Sequence, residues 1–461
     1  MSLDKLFTNP NPPIPIRGMH LDLKGSPPTP QRLLSLLRLF AQLRINAVLI
    51  EFEDMFPWTV DPRFRCETAY AADTVRAFAA EAAALNIQVI PLVQCLGHCE
   101  VPLSGPGNES LREIPHRAQD LNPLAPGARD LIESMVEDVL ALCPDIQYFH
   151  LGGDEAWHFG THPDTKTFIE QNSPGALYLH HVQPILDKLN ARGVTPILWH
   201  DMMRQWDDRA LDQLAPNAHL MCWGYAHPDR LGDLITPDHM QRFTDHGIQL
   251  WGAGAYKGAN HHTADRPALA AHVANALWWT RQAAQFNMHG VIATAWSRYA
   301  THRVQCETIE ASLDSLVHVA RILHDAAAWP DPEQSSRAAL AALGQADHFQ
   351  ACADAAQRLA DLRTSAWIEI QFVRELICTA TIDARRRTSG TLIDVTRGLG
   401  AIVDEADAIA RDFAAAHHNH IDSLWVRRYL AERIEPIREE HAALDARARQ
   451  LNPVGYAANP G

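Results

Sequence analysis

The sequence predicts an α/β protein, a (β/α)8 barrel followed by an all-helical C-terminal region. Apolar strand-like runs alternate with helix-period segments up to about residue 325. Eight such runs occur, the number a closed parallel barrel needs. Beyond them the chain turns Ala-, Arg- and Leu-rich and keeps helical periodicity with almost no strand signal.

The runs lie at 16–23, 46–53, 87–94, 146–153, 195–201, 218–225, 248–255 and 290–297. Most are short and continuously apolar, as strands buried on both faces must be. Between them stand helical patterns at 30–44, 72–86 and 128–143, with Leu33, Leu36, Leu37 and Phe40 recurring on one face. An open doubly wound sheet is the alternative, but no Gly-rich phosphate loop follows the first run. These patterns divide the chain into a barrel, 1–325, and a helical region, 326–461, of three to five helices. AAWPDPEQSS (327–336) is the linker or helix start between them. The apolar faces of these helices are expected to pack on the barrel or to meet in a homodimer.

Composition narrows the function. The formal charge is -15 and no long basic run occurs, which excludes nucleic acid and anionic membrane surfaces as expected partners. The first residues lack the apolar core of a secretory signal, and no stretch approaches the roughly 20 residues that span a bilayer. The eight cysteines are scattered with no CxxC pair. Together these predict a reduced, cytoplasmic protein.

Reacting groups of such barrels sit at the C-terminal ends of the strands. Polar and aromatic residues collect there: His20, Asp22 and Lys24 on the first run, Glu51, Glu53 and Asp54 on the second, and Gln94, His98 and Glu100 on the third. The fourth ends in HLGGDEAWH, with Asp154 and Glu155. The fifth to eighth offer Trp199, His200 and Asp201, then Trp223 and Tyr225, then Trp251, Tyr256 and Lys257, then Trp296, Ser297 and Arg298. Carboxylates beside aromatic platforms are the chemistry of sugar sites: acids handle protons and developing positive charge, and flat rings pack on the C–H faces of a sugar. On a regular strand Asp154 and Glu155 would face opposite ways, and Gly152 and Gly153 supply the freedom to bring both into one pocket.

The segment HLGGDE resembles the H-x-G-G-D-E signature of glycoside hydrolase family 20. RGMHLDLKG, LVQCLGHCE, HLGGDEAWHFG and ATAWSRY extend the likeness over about residues 15–310, closest to the hexosaminidase D-like branch. The resemblance implies a retaining exo-β-N-acetylhexosaminidase that removes terminal N-acetylglucosamine or N-acetylgalactosamine. It needs no cofactor and no metal, and its partner is a small glycan. In that scheme the substrate's acetamido oxygen is the nucleophile, an exception to the two-carboxylate rule of glycosidases. Glu155 would be the general acid/base and Asp154 would hold the acetamido N–H and the oxazolinium charge. His98, paired with Glu53 or Asp54, would tune the acid. Arg17 would bind the 3- and 4-hydroxyls. Trp199, Trp223 and Trp296 would cage the acetamido methyl, and Tyr225 or Tyr256 would orient its oxygen. Asp22 and Asp201 are counted with the substrate contacts. Strand eight departs from the family's W-x-E: it reads Trp296-Ser297-Arg298, so that contact is either lost or moved to Glu307, and Arg298 and Glu307 are both counted as candidate substrate contacts.

Two other readings stand beside this one. A metal-dependent barrel hydrolase is suggested by 25 histidines, but strand one offers His20 alone and no H-x-H. A catalytically silent sugar-binding barrel would have no need of the intact Asp154-Glu155 pair.

Overall fold

A computed structural model describes residues 6–259, 264–388 and 390–458. Eight parallel strands close into a barrel in the order β1-β10-β9-β8-β7-β6-β3-β2. They are β1 (Ile16–Asp22), β2 (Ala47–Glu51), β3 (Gln88–Leu92), β6 (Tyr148–His150), β7 (Thr195–Trp199), β8 (His219–Trp223), β9 (Leu250–Lys257) and β10 (Gly290–Ala295). Each falls within or against one of the eight runs of the sequence. β4 (Arg112–Ile114) and β5 (Arg117–Leu121) form a separate antiparallel hairpin in the excursion between β3 and β6.

Four of the helices begin where the sequence supplies an oxygen cap followed by proline. Thr29, Ser173, Thr236 and Asp331 each accept a backbone N–H of the first turn, and Pro30, Pro174, Pro237 and Pro332 follow them. Proline costs nothing there, since the first-turn N–H has no helical partner. In the helix Pro30–Gln42 the buried face is Leu33, Leu36, Leu37 and Phe40, as the periodicity predicts. Burying each such side chain stabilises the packing by roughly 1.5–3 kcal/mol.

Two cores result. One lies between the strands and the surrounding helices. The other fills the barrel: Leu49, Ile90, Ile197 and Ile292 pack with Trp199, Trp223, Trp251 and Trp296. Trp251 departs from the sequence reading. It sits near the start of β9, where its Nε1 donates to His219 Nδ1 at 3.1 Å, and it plugs the N-terminal end of the barrel beside Tyr148 and His289.

The C-terminal region comprises the helices Pro332–Ala342, Ala346–Ile382, Gly390–Ala416 and Ser423–Leu451, with a last turn at Pro453–Ala458. Its near half packs on the barrel's flank. Asp265 accepts from Arg433 Nε, from Tyr429 Oη at 2.7 Å and from Arg363 Nη1 at 2.5 Å. His417 lies 2.9 Å from Thr308 Oγ1, and Trp425 lies under the Arg298 guanidinium.

Candidate active site

Asp154 and Glu155 follow the shortest barrel strand, β6, where the backbone leaves extended geometry. Gly152 (φ 60°), Gly153 (φ 78°) and Glu155 (φ 47°) all take left-handed conformations. A Cβ on Gly152 would meet Gln94 Oε1 at 1.8 Å, and one on Gly153 would meet Tyr178 Oη at 1.9 Å. A side chain at either position would have to displace that neighbour and hold a left-handed φ that glycine takes without strain. The turn is pinned from several sides. The Gly152 N–H donates to His150 Nδ1 at 2.9 Å and the Gly153 N–H to Gln94 Oε1 at 3.3 Å. Tyr178 Oη donates to the Gly153 carbonyl at 3.1 Å. The Glu155 N–H donates to Asp201 Oδ2 at 2.9 Å. Glu53 and His98 also adopt positive φ, at 44° and 54°. Such strain in non-glycine residues gathers where a side chain must be aimed.

The result is one pocket of about 120 Å³ at the C-terminal end of the barrel. Asp154, Glu155 and His98 line one part of it. Trp223, Tyr225 and Trp296 form the aromatic wall, and Lys24, Gln94 and Tyr299 complete it. Tyr225 stacks on Trp223 at 5.2 Å between centroids. Asp201 lies behind, its Oδ1 accepting from Trp223 Nε1 at 3.1 Å, so one carboxylate sets both an aromatic wall residue and the Glu155 backbone. A larger concavity, about 600 Å³, opens at the opposite end between Ala72–Ala84 and Ala128–Leu142, but its lining is mostly alanine and aliphatic and gathers no catalytic set.

His98 Nε2 stands 3.3 Å from Glu155 Oε2 and 3.6 Å from Asp154 Oδ2. Burial pushes the Asp154 carboxyl up to about 8, with the charges of Asp201 and Glu155 adding to it and His98 opposing. Burial works against the His98 imidazolium, yet Asp154, Glu155 and Glu100 outweigh it and hold the group up at about 10. The two elevations compete, because His98 is raised by an ionised Asp154. What they share is proton retention: the pair titrates together and holds protons at neutral pH that the same side chains shed in water. Asp154 Oδ1 is buried with no donor among the described residues.

Several expected contacts lie elsewhere. Arg17 is at the start of β1, the opposite end of the barrel. Its guanidinium donates to the carbonyls of Ile14 (2.7 Å), Pro15 (3.1 Å) and Arg44 (3.1 Å). Tyr256 points outward, donating to the His20 carbonyl at 3.2 Å, so of the two candidate tyrosines Tyr225 is in the pocket. Glu307 is buried against the Gly258 N–H at 2.7 Å, and Arg298 turns to the Thr301 carbonyl at 2.6 Å and to Asp54 at 4.0 Å. Trp199 is fully buried beneath the pocket, in contact with His150 and Trp296. Among the described residues no hydrogen bond joins His98 to Glu53 or Asp54. Glu53 instead accepts from Thr301 Oγ1 at 2.5 Å, although it lines a smaller cavity that His98 shares. Burial raises Glu53 well above the carboxylate range and Asp54 to about 6. Asp22 is a brace: it accepts the Ser297 N–H at 2.7 Å and lies 3.2 Å from Lys24 Nζ.

Tyr299 was not singled out from the sequence. It follows Trp296 by three residues, and a chain that turns back over the barrel mouth after strand eight is the only signal that points to it. Lys24 and Gln94 were visible as strand-end residues without a role.

An eight-stranded parallel barrel whose fourth strand presents an adjacent Asp-Glu pair, a histidine and a tryptophan wall defines a sugar-cleaving barrel. The sequence profile of glycosyl hydrolase family 20, catalytic domain, matches residues 15–309, and the chain belongs to that family. Its relatives in that family include the hexosaminidase D proteins of two mammals. Hexosaminidase D of Homo sapiens is 34% identical over 326 residues, which cover 68% of this chain and 66% of the human protein. Hexosaminidase D of Bos taurus is 32% identical over 325 residues, covering 67% of this chain and 92% of the bovine protein. The match thus spans just under two thirds of the human relative's length. Among solved structures, the Flavobacterium johnsoniae chitobiase aligns with a TM-score of 0.57 at 14% identity, over 95% of this chain and 72% of that one. The Bacteroides fragilis β-N-acetylhexosaminidase aligns with a TM-score of 0.54 at 15% identity, over 72% and 71%. At these identities the likeness is one of fold.

Proposed function

We propose that the protein is a retaining exo-β-N-acetylhexosaminidase that removes terminal β-linked N-acetylglucosamine or N-acetylgalactosamine through substrate-assisted catalysis. The observation that carries this reading is Asp154 Oδ1, a buried carboxylate oxygen with no donor among the described residues, beside an aromatic wall and one residue before an acid that opens toward solvent. A buried acceptor of this kind calls for a donor from the substrate. An acetamido N–H supplies one, and its methyl suits Trp223 and Trp296. Tyr225 reaches the acetamido oxygen, which attacks C1 as the glycosidic bond breaks. Glu155, with His98 at 3.3 Å, protonates the leaving oxygen and then takes a proton from the water that opens the oxazolinium ring. With the pair's proton on His98, the Asp154 carboxylate accepts the N–H and balances the ring's positive charge.

The test is a panel of aryl β-glycosides with and without the 2-acetamido group. Turnover confined to acetamido sugars supports the mechanism, and comparable turnover of plain β-glucosides or β-galactosides sinks it. Among the described residues no helix is long and apolar enough to cross a membrane. With eight free thiols, this supports a cytoplasmic site of action, checked by fractionation of the native host.

A metal-dependent hydrolase is the second reading, because donor atoms of His98, Asp154 and Glu155 lie within 4.8 Å of one another. It predicts loss of activity on chelation and recovery with zinc. Substrate assistance predicts indifference to both.

A further inference from the structure

We infer that Trp157 is the platform on which the leaving group stacks, so that the natural substrates carry a second sugar ring beyond the bond that is cut. The inference rests on the function proposed above. An exo-acting pocket holds the terminal sugar, and everything past the glycosidic oxygen stays at the rim, beside the acid that protonates that oxygen. Glu155 is that acid. Trp157 follows it by two residues, and its N–H donates to the Glu155 carbonyl at 2.8 Å, closing a tight turn. Ala156, between them, is buried. The two side chains that flank it reach solvent, Glu155 in part and Trp157 with 70% of its surface.

A single exposed apolar side chain is ordinary on a protein surface. This one is held where it stands. The backbone around it is fastened to two buried carboxylates of the β4–β5 hairpin. Asp120 Oδ2 accepts the His158 N–H at 3.0 Å and lies 2.5 Å from His158 Nδ1. Glu113 Oε1 accepts the N–H groups of Thr161 and His162 at 2.8 and 2.9 Å. Phe159 turns down against the core, its ring 6.3 Å from Tyr178. The segment thus buries its neighbours and presents one indole. The other exposed large apolar side chains among the described residues all lie in the helical region, from Trp367 onward. Trp157 also stands outside the pocket lining, whose aromatic wall is Trp223, Tyr225 and Trp296, so it is no part of the acetamido cage. An indole left in water forgoes one of the largest apolar burials a side chain offers, and a partner that covers it recovers that burial. The partner that arrives beside Glu155 in every catalytic cycle is the leaving group. A flat ring there matches the C–H face of a pyranose, a face that a methyl or amino-acid leaving group lacks.

The experiment compares methyl N-acetyl-β-glucosaminide with disaccharides that join the same sugar, β-linked, to each hydroxyl of a second pyranose in turn. The readout is the ratio of kcat/KM, disaccharide over methyl glycoside, which cancels any general loss of activity. In the wild type at least one disaccharide should be preferred. In Trp157→Ala its ratio should drop about 3- to 10-fold, the scale of one aromatic contact. Trp157→Phe keeps a flat face and should restore most of that ratio. A purely structural tryptophan would lower both substrates alike, and an unchanged ratio in Trp157→Ala therefore overturns the inference. So does a Trp157→Phe variant as poor as the alanine, or a wild type that prefers no disaccharide. A wild type inactive on the methyl glycoside and on every disaccharide would instead refute the proposed function, so the two failures are distinguishable.

Discussion

β1 carries a cation at each end, and the two have opposite fates. Arg17 spends its guanidinium on three backbone carbonyls at the N-terminal end. Lys24, just past the C-terminal end, leans on two carboxylates and faces open space. The difference teaches how to tell a structural charge from a working one in a barrel. A cation whose donors end on main-chain oxygen closes the floor. A cation held by acids, with an aromatic ring beneath it, lines the pocket. The concavities follow the same division: the larger lies at the closed end between helices, and the smaller holds the chemistry.

The sharpest way to test the division is at the working end. Glu155→Gln should cut hydrolysis of sugar leaving groups by roughly 10²–10⁴-fold, the usual scale for general acid–base catalysis. Aryl substrates with good leaving groups should suffer far less in the first step. Equal loss on both kinds, measured as kcat/KM, would remove Glu155 from the acid role.

At the closed end the effect should fall on stability alone. Arg17→Met leaves the Ile14, Pro15 and Arg44 carbonyls without their donor and should cost about 2–4 kcal/mol in denaturant unfolding. kcat/KM per folded molecule should stay near wild type, and a selective rise in KM would return Arg17 to the substrate. Gly153→Ala tests the turn between strand and acid. Its φ of 78° and the Tyr178 hydroxyl at 1.9 Å from a new Cβ make a loss of at least ~1–3 kcal/mol the expected result, with turnover falling as Asp154 shifts. Wild-type stability and activity would show that the turn relaxes freely.

The tyrosines give a smaller contrast. Tyr225→Phe should lower turnover about 10-fold or more if its hydroxyl orients the acetamido oxygen. Tyr256→Phe, whose hydroxyl meets the His20 carbonyl, should leave turnover unchanged at a stability cost of about 1 kcal/mol.

The smallest effect is a slope. Asp154 is raised from its ordinary value to about 8, and His98 to about 10. Both therefore bind more protons folded than unfolded, Asp154 from about pH 4 to 8 and His98 from about 6.5 to 10. Stability must fall as pH rises through those windows. The melting temperature of the wild type should drop between pH 7 and 10 more steeply than that of Asp154→Asn, where one of the two protons is gone. Parallel curves would mean that the pair does not retain its protons.

Much of this was legible in the chain. Eight apolar runs became eight strands because a parallel strand buried on both faces has nowhere to put polar residues except its ends. For the same reason the strand ends advertised Asp154, Glu155, His98, Trp223 and Trp296. Gly152-Gly153 announced the turn, since only glycine accepts those dihedral angles so close to Gln94 and Tyr178. The failures share one cause. Arg17 and Glu307 were carried over from the resemblance and Tyr256 and Arg298 from their place near a strand end, but neither a motif nor proximity fixes which end and which face a side chain takes. Trp251 misled in the same way.

By itself, then, the sequence determined the barrel, the helical region after it and the position of the Asp154-Glu155 step just past the fourth barrel strand, because these follow from local periodicity and from a motif whose residues are neighbours in the chain. Tertiary structure alone decided which cation of β1 faces the pocket, which tyrosine does, and that His98 turns to Asp154 and Glu155. Strand tilt, register and the packing of β1 between β2 and β10 set those directions, and such side-chain headings are the sum of contacts from distant parts of the chain.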